Sequence, residues 1–169
     1  IFDTLQARLS CDNLQHAIQN LGYLDAQVEL YTDVRKKKLN AIYLLHPGKP
    51  YYIRTLRYDI QDSVIARLLQ HDKRGLHEGM QFNVNALNNE RSLLTSLLQD
   101  NGYYRFHKEF ITFIADSLQQ DRQIDLTLVL RPYRTANVSD TLHTPYVIRD
   151  IYFISGNPDD SLIHLRQSV

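Results

Sequence analysis

The residues best suited to chemistry in this chain are its histidines, its one cysteine and a few acid–base neighbours. Seven histidines stand at positions 16, 46, 71, 77, 107, 143 and 164. The pairing nearest to a metal site is His71 with His77 and Glu78, on a segment expected to be a loop. Metal ligands must converge at characteristic short spacings, and this spacing fits none of them. Cys11 is the only cysteine, so no internal disulfide and no cysteine metal cluster can form. It reads as a small apolar filler beside a helix start. Neither a glycine-rich phosphate loop nor a nucleophile elbow is present. Glu90-Arg91 has the residue types of an acid–base pair, but adjacent helix positions do not face each other, which points to a surface or capping role. The chain is therefore expected not to be an enzyme, with no catalytic residue, no metal and no cofactor.

Nucleic-acid binding is the next class to weigh. YYRFHKEFITFI, Tyr103 to Ile114, interleaves aromatics and cations on a candidate strand, as sheets that stack single-stranded RNA do. Glu109 stands where such a strand motif wants glycine after the basic residue. Lys+Arg and Asp+Glu balance at 19 each, so no global field attracts polyanions or anionic membranes. No nucleic acid is expected. With 169 residues, 43% of them hydrophobic and 22% charged, the chain can bury a core and suits one or two domains. No apolar run reaches the roughly 18 residues of a membrane helix, and no secretory leader is visible. Because it opens on Ile1, the chain is expected to be a piece of a longer protein. The lone cysteine fits either a reducing or an oxidising compartment.

The elements that must position any site are written twice. PYYIRTLRY, from Pro50, returns as PYVIRDIYF, from Pro145, with Tyr51/Tyr146, Ile53/Ile148, Arg54/Arg149, Leu56/Ile151 and Tyr58/Phe153 matched. Aromatic and β-branched residues at this density favour a strand, and the slip from spacing two to spacing three predicts a bulge. Each copy leads to a cap and an apolar pair, Asp62-Ser63-Val64-Ile65 and Asp160-Ser161-Leu162-Ile163, the second after a longer loop with Gly156-Asn157-Pro158. A second echo links NLQHAIQNLGY (Asn13 to Tyr23) with SLLTSLLQDNGY (Ser92 to Tyr103). Leu14, Ala17, Ile18 and Leu21 recur at helical spacing behind Asp12 and its capping-box partner Gln15. Leu87, Leu94, Leu97 and Leu98 do so behind a cap placed at Asn85. Gly22 and Gly102 then sit where a left-handed helix stop is wanted. Two strands follow each glycine. In the first, Ala26, Val28 and Leu30 alternate before a charged turn at Arg35–Lys38; in the second, FITFIAD leads into QIDLTLVLRP, where Ile124, Leu126, Leu128 and Leu130 share one face. Eleven tyrosines cluster at strand starts and after helix stops, including Tyr51, Tyr52, Tyr103, Tyr104 and Tyr146. They are expected to cover helix–sheet seams and, for a subset, to line contacts between units.

These elements define an α+β fold of tandem β-α-α-β-β modules, each a three-stranded mixed sheet with two helices on one face. Residues 1–46 read as the C-terminal part of a first module, 50–132 as a complete one, and 145–169 as the truncated start of a third. If the first strand pairs with the last, the hairpin's opening strand, about 107–116, becomes a sheet edge. Such an edge accepts extended peptides through backbone hydrogen bonds while demanding little of their sequence. The candidate binding residues are Lys108, Phe110, Thr112 and Ile114, with a second edge at Gln27, Glu29 and Tyr31.

The β-α-α-β-β order, the Arg- and aromatic-containing opening strand and EGMQFNVNALNNERSLLTSLLQDNGYY (Glu78 to Tyr104) resemble a known family. It is the polypeptide-transport-associated (POTRA) repeat of BamA/TamA-like outer-membrane β-barrel assembly factors, the surface antigen family. The match rests on the apolar residue after Gly79, Glu90-Arg91, the leucine stripe and Gly102-Tyr103. One departure is Gln61-Asp62, where the later copy has the Gly156-Asn157 more usual of the repeat. The resemblance implies a periplasmic string of modules ahead of a C-terminal membrane barrel of the same chain. Such modules bind unfolded outer-membrane protein clients or accessory assembly proteins. A docking scaffold without assembly activity is the alternative it leaves open, and a single-stranded RNA-binding domain the remoter one.

Overall fold

A computed structural model describes residues 3–35, 38–70, 75–118, 121–135 and 138–151. His71, Lys36, Lys37 and everything after Ile151, including the second cap at Asp160, lie outside the described residues. Helix α1 spans Thr4–Asn20, strands β1 and β2 span Gln27–Arg35 and Lys38–His46, and β3 spans Tyr52–Asp59. Helices α2 (Ser63–Gln70) and α3 (Val84–Asp100) follow, then β4 (Ile111–Leu118) and β5 (Gln123–Leu130). A short hairpin of β6 (Tyr133–Thr135) and β7 (Val138–Thr141) comes last.

Both long helices have 17 residues and end alike. After α3, the Gly102 N–H donates to the Gln99 carbonyl and the Tyr103 N–H to that of Leu98; after α1, Gly22 donates to Gln19 and Tyr23 to Ile18. This is the double bond of a Schellman stop, and it requires the positive φ of Gly22 (99°) and Gly102 (90°). The starts differ from expectation. Asp3 caps α1, its carboxylate accepting from the amides of Leu5 and Gln6, and Asp12 lies inside the helix. Nothing between Thr4 and Ser10 breaks a helix, so the upstream cap prevails. Asn83 rather than Asn85 caps α3 and accepts the Asn85 amide at 2.8 Å. Asp62 caps α2 as expected, receiving Val64 and Ile65.

The main sheet has the order β3-β5-β4, with β3 parallel and β4 antiparallel to β5. On β5, Ile124, Leu126, Leu128 and Leu130 are buried and alternate with half-buried Asp125, Thr127 and Val129. Ile65 and Leu69 of α2, and Leu87, Leu94 and Leu98 of α3, complete the core on that one face, together with Tyr103, Phe106 and Ile111. A fully buried leucine contributes roughly 2 kcal/mol, so this layer dominates the stability of the unit. The predicted bulge is present: the register passes from Ile53↔Ile124 to Thr55↔Asp125 and leaves Arg54 unpaired.

β1 and β2 form a separate antiparallel hairpin that closes at Arg35↔Lys38, with α1 packed mainly on β1. Its sheet has two strands and one helix where the main unit has three and two. Ile42, Leu44 and Leu45 are correspondingly exposed. The second copy of the opening strand is not a strand over its described part, Tyr146–Ile151. An isolated extended segment has no ladder partner for its backbone, and the partner in the first copy is β5, which lies far downstream of β3.

Candidate protein-binding edge

The backbone hydrogen bonds of the main sheet separate its two edges. Along the outer side of β3, the Ile53 amide donates to the Met80 carbonyl at 2.9 Å, the Ile53 carbonyl accepts from Gly79 at 2.7 Å, and the Tyr51 carbonyl accepts from Phe82 at 2.9 Å. At the bulge the Leu56 amide donates to the Glu78 carboxylate at 3.0 Å. Residues 78–82 therefore close that edge from Tyr51 to Leu56. Glu78, which looked like a partner for a metal-binding His77, is instead committed to the backbone, and His77 Nδ1 sits 3.0 Å from the Glu78 carbonyl. Among the described residues no group of three metal-ligating side chains exists.

The outer side of β4 has no strand paired to it among the described residues. Which of its groups face outward follows from one bond beyond the strand end. The Arg131 amide donates to the Phe110 carbonyl at 2.7 Å, so 110/131 is a hydrogen-bonded position of the ladder. Antiparallel pairs alternate between bonded and unbonded positions, which makes Thr112↔Val129, Ile114↔Thr127 and Asp116↔Asp125 the bonded pairs. Thr112, Ile114 and Asp116 point their backbone groups at β5. Ile111, Phe113, Ala115 and Ser117 point theirs away from the sheet, and of these the Ile111 amide is already donated to the Lys108 carbonyl. The donors of Phe113, Ala115 and Ser117 have no partner among the described residues.

The structure thus sorts the candidate residues. Lys108 and Phe110 are not on the edge strand but in a 3-10 turn, Lys108–Phe110, that precedes it. The cause is local. Arg91 grips the Lys108 carbonyl with Nε at 3.2 Å and Nη2 at 2.9 Å, and Phe110 is half-buried against Phe106, Tyr133 and His143. Thr112 and Ile114 are on β4, Ile114 exposed on the open face of the sheet, but their amides serve the ladder. Gln27, Glu29 and Tyr31 are all exposed on β1, and the Tyr31 hydroxyl donates to the Glu29 carboxylate. That bond holds the phenol above its usual pKa, with the Glu29 charge adding to it. The outward amides of β4 were missed because strand parity depends on where the ladder begins, which sequence does not reveal.

Two further corrections concern side chains. Glu90 is buried, 1% exposed, not on the surface; its Oε2 accepts from the Gly75 amide at 2.9 Å and so ties the loop before α3 to that helix. Tyr103 and Phe106 of the RNA-like stretch are buried in the core and are not displayed for stacking.

On the open face, Arg54 makes a bidentate pair with Asp125, Nε to Oδ1 at 2.8 Å and Nη2 to Oδ2, and Thr55 adds its hydroxyl at 2.8 Å. These bonds hold the Asp125 carboxyl down at about 2, the Arg54 bond foremost. They fix the bulge, and with it the register of the two strands behind the edge.

The chain is an α+β protein whose described residues include no helix long and apolar enough to cross a membrane. No protein-family model matches the sequence, and no curated protein sequence does. Among solved structures it is similar to BamA from Haemophilus ducreyi lacking POTRA domains 1-3, at 18% identity and a TM-score of 0.44, over 77% of this chain and 23% of that one. It is similar also to Haemophilus influenzae BamA POTRA3-5, at 18% identity and a TM-score of 0.48, over 77% of this chain and 51% of that one. POTRA1-3 of the periplasmic domain of Omp85 from Anabaena overlaps at 13% identity and a TM-score of 0.36, over 77% and 51%. The chain thus spans between 23% and 51% of the length of these neighbours.

Proposed function

We propose that this chain is a periplasmic POTRA region of an outer-membrane β-barrel assembly protein, and that β4 takes extended protein segments as an added strand. Residues 50–132 are then one module, 1–46 the end of the module before it and 145–169 the start of the next. The supporting observation is the asymmetry of the sheet: the β3 edge is closed by residues 78–82, whereas β4 offers outward amides at Phe113, Ala115 and Ser117. Each added backbone bond is worth on the order of 1 kcal/mol net, and ordering the incoming chain offsets part of that sum. The result is weak, sequence-tolerant binding, as suits clients that share strand character rather than sequence. Unfolded outer-membrane proteins have that character, since every barrel strand alternates apolar and polar residues.

The test is titration with a synthetic peptide copied from a single strand of an outer-membrane barrel, followed by amide NMR shifts. The amides of Phe113, Ala115 and Ser117 are expected to move most. Ala115→Pro, folded by circular dichroism, is expected to lose the response. Wild-type binding by that variant would sink the edge mechanism.

A further inference from the structure

The two echoes in the sequence meet in space. The Gly22 carbonyl, at the stop of α1, accepts the Tyr51 amide at 2.8 Å; the Gly102 carbonyl, at the stop of α3, accepts the Tyr146 amide at 2.8 Å. One joint is used twice, and the two uses differ in completeness. At the first, the Tyr51 carbonyl accepts from the Phe82 amide, the Gln81 side chain donates to the Leu21 carbonyl at 2.8 Å, and the Phe82 carbonyl oxygen lies where a side chain on Gly22 would be. The Tyr51 hydroxyl reaches Asp25, which also faces Arg122 at 3.8 Å. Tyr51 is 2% exposed as a result.

At the second joint no described residue corresponds to Gln81 and Phe82, and the nearest atom to a side chain on Gly102 is the Tyr146 carbonyl oxygen, at 2.8 Å. Tyr146 is 44% exposed, with Tyr104 edge-on at 4.8 Å and the Arg105 guanidinium 5.3 Å from its ring. A cleft of about 800 Å³ opens beside it, lined by Asn101, Gly102, Tyr104, Tyr146, Val147 and Ile148. Asn101 occupies the position after α3 that Leu21, the acceptor for Gln81, occupies after α1.

We infer that this cleft is the receiving site for a segment of the longer chain equivalent to Gln81–Phe82. That segment lies as far downstream of Tyr146 as Gln81–Phe82 lie downstream of Tyr51, past Val169. Its chemistry is read from the filled joint: an amide N–H for the Tyr146 carbonyl, a side-chain donor for the Asn101 carbonyl, and a large apolar ring beside the tyrosine. The inference rests on the tandem-unit reading and is independent of client binding at β4.

Hydroxyl-radical footprinting read by mass spectrometry tests it without any substitution. Tyr146 is compared between this 169-residue chain and the full-length gene product, with Tyr51 as the internal standard of a filled joint. In the short chain Tyr146 is expected to be modified at least tenfold faster than Tyr51. In the full-length protein its rate is expected to fall to that of Tyr51, while Tyr31 on β1 is unchanged. Equal modification of Tyr146 in both proteins would overturn the inference. So would protection that appears in the short chain only as its concentration rises, because a second copy would then be the occupant.

Discussion

Proline substitutions on β4 separate inward from outward amides within three residues. Thr112→Pro deletes a donor that the ladder places opposite Val129, and Ala115→Pro deletes one that faces away from the sheet. A proline that removes a ladder bond and crowds its neighbour costs roughly 3 kcal/mol. At an outward edge position only the fit of φ is at stake, about 1 kcal/mol or less. The preceding residues, Ile111 and Ile114, are already extended, so the restriction that proline places on them is met in both variants. The expected difference is therefore about 2 kcal/mol, with Thr112→Pro the weaker protein. Urea unfolding followed by far-ultraviolet circular dichroism reads it as a shift in midpoint at constant slope. Equal losses, or a larger loss for Ala115→Pro, would refute the assigned parity and with it the set of amides offered to a client.

Three other perturbations follow from the geometry. Glu90→Ala leaves the Gly75 amide without its acceptor and is expected to lose about 1 to 3 kcal/mol in the same urea assay, with the chain at Gly75 opening to protease before the sheet unfolds. The Asp125 carboxyl, held at about 2 against an ordinary 3.8, contributes stability that is complete above pH 4 and disappears as the pH falls through 2. Wild type and Asp125→Asn should therefore differ in Tm at pH 5 and converge near pH 2. Gly22→Ala combines a left-handed φ with collision against the Phe82 carbonyl and is expected to cost roughly 2 kcal/mol or more. Faster radical modification of Tyr51 would report the loosened joint.

Much of the fold could be read from residue types because its determinants are local. The helix stops at Gly22 and Gly102, the Asp62 cap, the alternation of β5 and the bulge after Ile53 each follow from a few neighbours. Helix starts failed where several capping residues competed, as Asp3 did with Asp12 and Asn83 with Asn85. Lys108 and Phe110, expected on the strand itself, lie in the 3-10 turn before it, which depends on Arg91, a partner 17 residues away in sequence. Glu90 was misplaced for a related reason. A carboxylate is normally solvated, and nothing in its neighbours along the helix announces that the Gly75 amide will meet it in the interior.

The repeated motif Y-x-I-R can now be parsed residue by residue, and that explains why a chain would preserve it. The tyrosine amide closes the joint to the preceding helix stop, the isoleucine enters the core, and the arginine occupies the bulge and clamps Asp125 on the central strand. Each role points to a different element, so no single neighbour can supply all three. Among the described residues the second copy satisfies only the first role: Tyr146 bonds Gly102, Ile148 is 81% exposed, and Arg149 meets the adjacent Asp150 at 3.6 Å. Arg54→Ala and Arg149→Ala should accordingly differ in this chain. The first removes a bidentate clamp and is expected to lower Tm, whereas the second removes an exposed contact worth at most a few tenths of a kcal/mol and is expected to leave Tm unchanged. A loss on Arg149→Ala as large as that on Arg54→Ala would mean that its strand already has a partner.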